Sequence, residues 1–271
     1  MGGIINSTFI NNRARVGDAI YNYGYDGTID RCIFVNNTAN SMIYGGDYAT
    51  MVIKNSIIVN NYGNDLVGDQ NPIMDNNWWG TTADDEEAPV ISGQTLTNYY
   101  ILNMTVDDDS ADITLNNAYY KSSNSTGIVS NYSLPEIALN LYPVNLRLST
   151  SNVTLDGTGK AIVYYTKTSE DAKLTASNEY VSLSRNVCDF DILQSLINEN
   201  DEIELNRNFT YGNGDSLTEG ISINKSVAID GNGHTIDANH QARIFKVTSG
   251  TVTLKNINFI NGYADSGAAM Y

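Results

Sequence analysis

A short motif of alternating apolar and polar residues recurs along the chain at a nearly constant spacing. It reads NSTFINN at residues 6–12, RCIFVNN at 31–37, NSIIVNN at 55–61 and NINFING at 256–262. Aligning the first three copies places apolar residues in two columns, which are Ile4 with Ile29 and Ile53, and Phe9 with Phe34 and Ile58. The column spacing is 25 residues and then 24. A spacing of this size predicts a repeat architecture.

The residue types discriminate among the architectures that have such a spacing. Gly, Asn and β-branched residues fill the repeats without an apolar stripe of 3.6-residue period, which argues against helical repeats. The paired leucines of a leucine-rich repeat are also missing. We therefore predict coils of a right-handed parallel β-helix. In such a coil each strand stacks about 4.8 Å from its counterpart in the previous coil, so that like residues lie over like.

The paired asparagines that end each motif are predicted to form one corner of the coil. The pairs are Asn11 with Asn12, Asn36 with Asn37, and Asn60 with Asn61. Asn tolerates the left-handed backbone conformation of a tight corner, and stacked amides can hydrogen-bond from coil to coil. The sequences GDAIY at 17–21 and GAAMY at 267–271 follow this corner, where the chain turns towards its next strand.

Beyond about residue 99 the pattern changes to alternating strands separated by turn residues. YYILNMTV at 99–106 is one such strand, and LDGTGKA at 155–161 carries the Asp-Gly signature of a tight turn. These segments predict an antiparallel β-sandwich of immunoglobulin-like type. Trp78 and Trp79 are expected to close the first β-helix, and the acidic segment TTADDEEAP at 81–89 is expected to be a solvated linker.

One amphipathic helix is predicted near residues 190–199, just before the motif restarts. Asp191 is expected to cap it together with Gln194, three residues later. The apolar residues of this segment fall on one face, and they are Phe190, Leu193, Leu196 and Ile197. Such a helix is expected to cover the open end of a second β-helix.

The predicted fold class is therefore all-β, with three units. A β-helix with a Trp-containing end cap occupies residues 1–95, and an immunoglobulin-like sandwich occupies 96–185. The capping helix and the second β-helix occupy 186–271. Because the sequence begins and ends within repeats, we expect it to be part of a longer protein.

The repeats resemble a known family. Phe9 with Asn12, and Phe34 with Asn37, form Phe-x-x-Asn motifs near GDAIY, and these are similar to repeats of chlamydial polymorphic outer-membrane proteins. They are still more similar to repeats of adhesin-like surface proteins of methane-producing archaea. IDGNGHTIDA at 229–238 resembles the opening coils of β-helices in those archaeal proteins, and NNWWG at 76–80 resembles the point where one closes.

The resemblance covers residues 1–95 and 186–271 well and the middle loosely. It implies a pectate-lyase-like β-helix fold, an extracellular location at the cell surface, and a spacer role for the middle unit. The chain departs from the family pattern at Gly262, which replaces the second Asn, and at Ile58, where Phe is usual.

Charge and composition narrow the range of partners. The formal net charge is −16 with a pI near 4.3, which disfavours nucleic acid and anionic lipid. No apolar run approaches the roughly 18 residues that a membrane span needs, so we expect no membrane insertion in this segment. Cys32 and Cys188 are too few for a disulfide scaffold and are not spaced as a metal site.

Several carboxylates are candidates for catalytic or metal-binding groups. Asp26 and Asp30 beside Arg31, with Asp47 one coil later, are the candidates for a polysaccharide lyase or hydrolase on a β-helix. Turns favour Asp in any case, so no catalytic residue is assigned. Ca²⁺ could be held by Asp107, Asp108 and Asp109, although a charged, solvent-facing turn is the favoured explanation of these residues. His234 is expected to pack within a coil, and His240 lies in the next turn.

The sequence therefore predicts structural display and attachment through exposed coil faces. Tyr21, Tyr23, Tyr25 and Asp26 combine aromatic rings with polar groups, which suits contact with glycans or proteins of a host or partner cell. Two alternatives stay open, the carbohydrate-active enzyme and a purely structural surface-layer spacer. N-glycosylation of the loop that contains Asn124 and Asn131 is a further hypothesis.

Overall fold

The structure, a computed structural model, is all-β apart from one short helix among the residues it describes. These residues are 2–24, 26–38, 42–45, 51–61, 66–68, 73–74, 76–85, 89–91, 94–96, 98–120, 125–128, 133–169, 171–212 and 214–271. Stacked parallel strands lie on either side of an antiparallel module, as the sequence predicts. The predicted all-β class with parallel β-helix coils is confirmed.

The first β-helix is built from short strands that stack in parallel. Its strands are β1 (Gly2–Ile5), β2 (Thr8–Ile10), β3 (Ile20–Asn22), β4 (Gly27–Asp30), β5 (Ile33–Val35), β6 (Ile43–Gly45), β7 (Met51–Lys54), β8 (Ile57–Val59), β9 (Leu66–Gly68) and β10 (Asn77–Thr82). β1, β4 and β7 form one sheet, β2, β5 and β8 a second, and β3, β6 and β9 a third.

The register of these strands confirms both predicted columns. Ile4 pairs with Ile29 and Ile29 with Ile53, while Phe9 pairs with Phe34 and Phe34 with Ile58. The rings of Phe9 and Phe34 stack with centroids 4.7 Å apart and planes 2° apart. One coil cannot bury its own inner face, and the stack buries it by placing similar apolar side chains over each other.

The predicted asparagine corner is also confirmed. Asn11, Asn36 and Asn60 have positive φ of 56°, 53° and 52°. The next residues form an amide ladder, defined here as Asn12, Asn37 and Asn61. The Asn12 Nδ2 donates to Asn37 Oδ1 at 2.9 Å, and the Asn37 Nδ2 donates to Asn61 Oδ1 at 2.9 Å. The ladder also holds backbone groups, because the Asn37 amide nitrogen donates to Asn61 Oδ1 at 3.0 Å.

The sheet of the first β-helix continues without a break into the middle of the chain. Strand β10 pairs in parallel with β8, and strand β13 (Tyr99–Val106) pairs in parallel with β10. The indoles of Trp78 and Trp79 lie on opposite faces of β10, and Trp79 packs against the core of the first β-helix. The sheet therefore runs across the predicted unit boundary between residues 95 and 96.

The middle of the chain is an antiparallel module of two sheets. Its strands after the short hairpin β11 (Val90–Ile91) and β12 (Gln94–Thr95) are β13, β14 (Ser110–Tyr120), β15 (Ser125–Ile128), β16 (Ala138–Val144), β17 (Leu146–Leu148), β18 (Asn152–Thr154), β19 (Lys160–Lys167), β20 (Ala172–Ser177) and β21 (Ser182–Val187). β13, β14, β15, β17 and β19 belong to the nine-stranded sheet that includes β10. β16, β18, β20 and β21 form the second sheet. Buried side chains such as Ile113, Val163 and Leu174 fill the space between the sheets.

Helix α1 (Asp189–Glu199) begins directly after β21. The prediction that Asp191 caps it is wrong, because the N-cap is Cys188 and no side chain within the helix caps it. A carboxylate from outside the helix takes this role: Asp215 Oδ1 accepts the backbone N–H of Phe190 at 3.0 Å and of Asp191 at 3.3 Å. A carboxylate at a helix N-terminus satisfies free N–H groups and complements the helix dipole.

The second β-helix follows α1 and repeats the three-sheet arrangement. Its strands are β22 (Glu202–Glu204), β23 (Phe209–Thr210), β24 (Ile221–Ile223), β25 (Val227–Asp230), β26 (Thr235–Asp237), β27 (Phe245–Val247), β28 (Val252–Lys255) and β29 (Asn258–Ile260). Helix α1 packs its buried face, including Phe190 and Leu193, against the first coil. The Gln194 amide accepts the Ser222 N–H at 2.6 Å and donates to the Ser222 carbonyl at 2.9 Å. Gln194 therefore satisfies the outer edge of β24.

Candidate functional site

Two tyrosines, one exposed and one partly exposed, stack on the outer side of the third sheet of the first β-helix. Tyr21 of β3 pairs with Tyr44 of β6, and their rings lie 4.9 Å apart with planes 12° from parallel. The side chains at Ile20 and Ile43 on the same strands point inward, so the tyrosines point outward. Tyr21 is 56% exposed. We call this pair the tyrosine stack.

The other predicted contact residues lie beside the stack. Tyr23 follows β3 and is 76% exposed. Gly24 turns the chain with a φ of +82°, and Asp26 is exposed just before β4. Tyr25 lies outside the described residues. The structure thus places Tyr21 on β3 and Tyr23 and Asp26 in the connection from β3 to β4. It adds Tyr44 of β6 from the next coil.

Sequence reasoning missed Tyr44, although a signal for it was present. Ala-Ile-Tyr at 19–21 and Met-Ile-Tyr at 42–44 hold equivalent positions in consecutive coils. The spacing here is 23 residues, whereas the columns of the repeat motif are 24 or 25 apart. The shorter spacing hides the pairing in an alignment of the repeat motif.

Among the candidate catalytic carboxylates, Asp30 takes part in the coil framework. Asp30 Oδ1 accepts a hydrogen bond from Asn55 Nδ2 at 2.9 Å, and Asp30 Oδ2 lies 3.7 Å from Arg31 Nε. Asp230 of the second β-helix has the same arrangement, since its Oδ1 accepts from Asn256 Nδ2 at 3.0 Å. An Asp–Asn bond between coils therefore accounts for Asp30 in structural terms. Asp47 lies outside the described residues.

The residues predicted as Ca²⁺ ligands lie at the junction between the antiparallel module and the second β-helix. Asp108 forms an ion pair with Arg207 and accepts a hydrogen bond from Asn206 at 3.2 Å. Tyr165 donates its hydroxyl hydrogen to the Asp107 carbonyl. Burial raises the pKa of Tyr165, and the nearby Asp107 carboxylate adds to the effect. The Arg207 guanidinium thus supplies a positive charge to the Asp108 carboxylate, which a calcium ion would also need as a ligand. The calcium site stays a prediction.

A buried charge network continues from this junction. Asp189 is 2% exposed, and its Oδ1 lies 2.9 Å from Lys167 Nζ and 3.0 Å from Arg207 Nη1. Its Oδ2 accepts the Thr210 N–H at 2.9 Å. A buried carboxylate needs this degree of pairing to offset its desolvation. The network ties the last strands of the antiparallel module to the first coil of the second β-helix.

Cys188, Asp191 and Asp215 offer ligand atoms that all lie within 4.8 Å of one another. Thiolate and carboxylates are ligand types that zinc accepts. Burial raises the pKa of Cys188 to about 12 and that of Asp215 to about 6. Asp215 also serves as the cap of α1, and Asp191 accepts a hydrogen bond from Ser216 at 3.2 Å. The closeness of Cys188, Asp191 and Asp215 is thus explained by the capping of α1. The sequence could not indicate it, because residues 191 and 215 are far apart.

The remaining predicted features have simple positions. Cys32 and Cys188 are both buried free thiols. His234 lies near Asn208, with Nδ1 3.4 Å from Asn208 Oδ1. Asn124 and Asn131, the predicted glycosylation sites, lie outside the described residues. Among the residues described, no helix is long and apolar enough to cross a membrane.

Comparisons of the chain with known protein families, with curated proteins and with solved structures found no match. The functional proposal therefore depends on the geometry of the exposed faces.

Proposed function

We propose that this chain is a display segment of an adhesin-like cell-surface protein, which attaches to glycans or proteins of another surface through exposed coil faces. The tyrosine stack is the observation that carries the proposal. Its two rings are held face to face by the register of β3 and β6. Large apolar rings with polar hydroxyls are well suited to contacts with sugars and proteins.

The scaffold supports this role through pre-organisation. Tyrosine has few rotatable bonds, so it loses little conformational entropy on binding. The stack restricts both rings further before any ligand arrives, which lowers the entropic cost of association. Tyr23 and Asp26 border the same surface and add a third ring and a hydrogen-bond acceptor.

The proposal has further parts that follow from the resemblance of the repeats. They are an extracellular location, kinship with the adhesin-like proteins of methane-producing archaea, and an immunoglobulin-like class for the antiparallel module. The spacer alternative is favoured by a separate observation, the unbroken sheet from β2 to β14. A binding measurement separates the two, since a spacer has no ligand.

The test is a binding assay of the purified chain on a glycan array and on intact cells. Tyr21→Ala and Tyr44→Ala should each weaken binding about tenfold or more, as expected for aromatic anchors. Tyr263→Ala is the matched control, because Tyr263 is 68% exposed on the second β-helix. Circular dichroism should show unchanged folding for all three variants. Binding that both stack variants retain in full would refute the role of the tyrosine stack, and no binding to any surface would favour the spacer.

A further inference from the structure

A cleft with a volume of ≈490 Å³ lies where the first β-helix meets the second sheet of the antiparallel module. We call it the junction cleft. Its floor lies on the outer face of the β-helix sheet, where Ile33 is partly exposed. Ile57 and Trp78 pair with this row in register across β8 and β10 and are almost fully buried beneath the module. This volume lies within the range of roughly 300–1,000 Å³ that is typical of small-molecule sites.

The walls of the junction cleft add rings and polar groups to this apolar floor. Asn140 and Tyr142 project from β16, and Tyr142 is 58% exposed. Glu179 and Tyr180 come from the turn between β20 and β21, and Glu136 comes from the segment before β16. An apolar surface with a few convergent polar groups is the usual composition of a ligand site.

The fold holds these walls in place without a ligand. Asn178 Oδ1 accepts the N–H groups of Tyr180 at 2.9 Å and Val181 at 3.1 Å, which fixes the turn. The Asn178 Nδ2 donates to the Ala138 carbonyl at 3.3 Å and ties this turn to β16. On the floor, Trp78 Nε1 donates to the Thr81 carbonyl at 3.0 Å. Pre-formed walls reduce the cost of ordering a site on binding.

The charge of the junction cleft restricts its ligand. Among the described residues that line it, the charged side chains are Glu136 and Glu179, and both are acidic. Burial raises the pKa of Tyr180 to about 12, and its hydrogen bond to Glu179 adds to the effect, so its phenol stays protonated. Uronates, sulfates and phosphates would meet like charge without a compensating cation. Neutral hydroxyl groups can donate to the two carboxylates and to the Asn140 carbonyl oxygen.

We propose that the junction cleft binds a neutral glycan segment, with a sugar ring against Tyr142 and hydroxyl groups bonded to Glu179, Glu136 and Asn140. The apolar face of a pyranose ring matches the exposed Tyr142 ring and the partly exposed Ile33 and Tyr180 side chains, and its rim of hydroxyl groups matches the acceptors. This inference goes beyond the tyrosine stack and does not rest on it, since the two sites share no residue.

The test uses the full chain with neutral oligosaccharides of hexose and N-acetylhexosamine, and with uronate-containing and sulfated oligosaccharides of matched length. Affinities are measured by calorimetry. We expect neutral probes to bind and the anionic probes to bind at least about tenfold more weakly. Tyr142→Ala should weaken binding of the neutral probe about tenfold. Glu179→Gln keeps the shape of the side chain and should weaken it by a smaller factor, about threefold.

Matched controls separate this site from other surfaces. Tyr164 on β19 is also 58% exposed, so Tyr164→Ala removes an equally accessible ring outside the cleft and should leave affinity unchanged. Tyr21→Ala should likewise leave it unchanged if the probe occupies the cleft. The inference is overturned if no neutral probe binds, if anionic probes bind more tightly, or if Tyr142→Ala and Tyr164→Ala have the same effect. Loss of binding in Tyr21→Ala alone would assign the ligand to the tyrosine stack instead.

Discussion

The two β-helices contain the same repeat motif, yet they protect their ends in different ways. In the last coil of the first β-helix, β8 pairs with β10, β10 pairs with β13, and β13 pairs with β14. The sheet of the β-helix therefore continues into the antiparallel module. The first coil of the second β-helix lies under α1, and Gln194 satisfies the edge of β24. Open strand edges invite association with other chains. The comparison shows that one repeat accommodates two solutions to this problem.

The corners of the two β-helices differ as well. The first has a continuous amide ladder at Asn12, Asn37 and Asn61. The second has Gly262 at the position equivalent to Asn12, where an added Cβ would overlap the Ala268 carbonyl oxygen. A hydrogen bond from Asn261 Nδ2 to Asp237 Oδ1, at 3.0 Å, links the coils there instead. The amide ladder forms only where consecutive coils supply Asn at the same position.

Removal of the main contact of α1 should affect the second β-helix most. Phe190 is fully buried and meets the Tyr211 ring edge-on, with centroids 5.2 Å apart. Phe190→Ala should cost about 3–5 kcal/mol of unfolding free energy, because a large cavity replaces the ring. Denaturation followed by circular dichroism measures the loss. Hydrogen exchange should increase in residues 202–211 and stay unchanged in 27–37.

Leu196→Ala is the control for this change, since Leu196 lies on the same helix and is only partly buried. It should cost less than Phe190→Ala. Equal exchange increases in both β-helices would mean that α1 does not serve the second one specifically.

Removal of the central rung of the amide ladder should weaken the first β-helix. Asn37 is fully buried, and its side chain bonds to Asn12, Asn61 and the Phe9 carbonyl. Asn37→Ala should cost about 2–3 kcal/mol, because several buried polar groups lose their partners. Asn12→Ala, on the outermost rung, should cost about 1 kcal/mol. Urea denaturation measures the loss of unfolding free energy in each variant. Equal losses for Asn37→Ala and Asn12→Ala would contradict the larger contribution expected of the central residue of the amide ladder.

The capping carboxylate should make the second β-helix sensitive to pH. Burial raises the pKa of Asp215 to about 6, above the value of roughly 3.9 in an unfolded chain. The folded chain therefore holds a proton that the unfolded chain has released between these two values. Stability from this group is present at low pH and is lost as pH rises through about 6.

The difference in unfolding free energy between the native chain and Asp215→Asn isolates this effect from the other carboxylates. We expect the native chain to lose on the order of 2 kcal/mol relative to the variant between pH 4.5 and 7.5. Urea denaturation at the two pH values measures it. A constant difference would show that Asp215 has an ordinary pKa.

Much of the framework could be predicted from local patterns. The columns of Ile4 and Phe9 follow from spacing alone, because stacked parallel coils favour apolar residues at equivalent positions. The helix was also predictable, but its cap was not. Asp191 has the right spacing to Gln194 for a capping box. Instead, Asp215 accepts the N–H groups of Phe190 and Asp191, which lie 25 and 24 residues before it, and Gln194 bonds to Ser222.

The sites were predictable to different degrees. Tyr21, Tyr23 and Asp26 were identified from their residue types in a turn, whereas Tyr44 needed the register of the third sheet. The junction cleft was not predictable at all. Trp78 and Tyr142 come from different sheets, and no periodicity relates them.

The sequence by itself determined the structure of the single coil. It indicated which side chains point into the coil, where Asn forms the corner, and that successive coils stack with equivalent residues in register. The physical reason is that stacking is a contact between neighbouring repeats, so the residues that it requires recur along the sequence at a fixed spacing. Only the tertiary structure decided that the sheet continues from β10 into β13, that Asp215 caps α1, and that the antiparallel module covers the outer face of β8. These are contacts between unlike elements, and their partners are selected by complementary shape and by unsatisfied backbone groups.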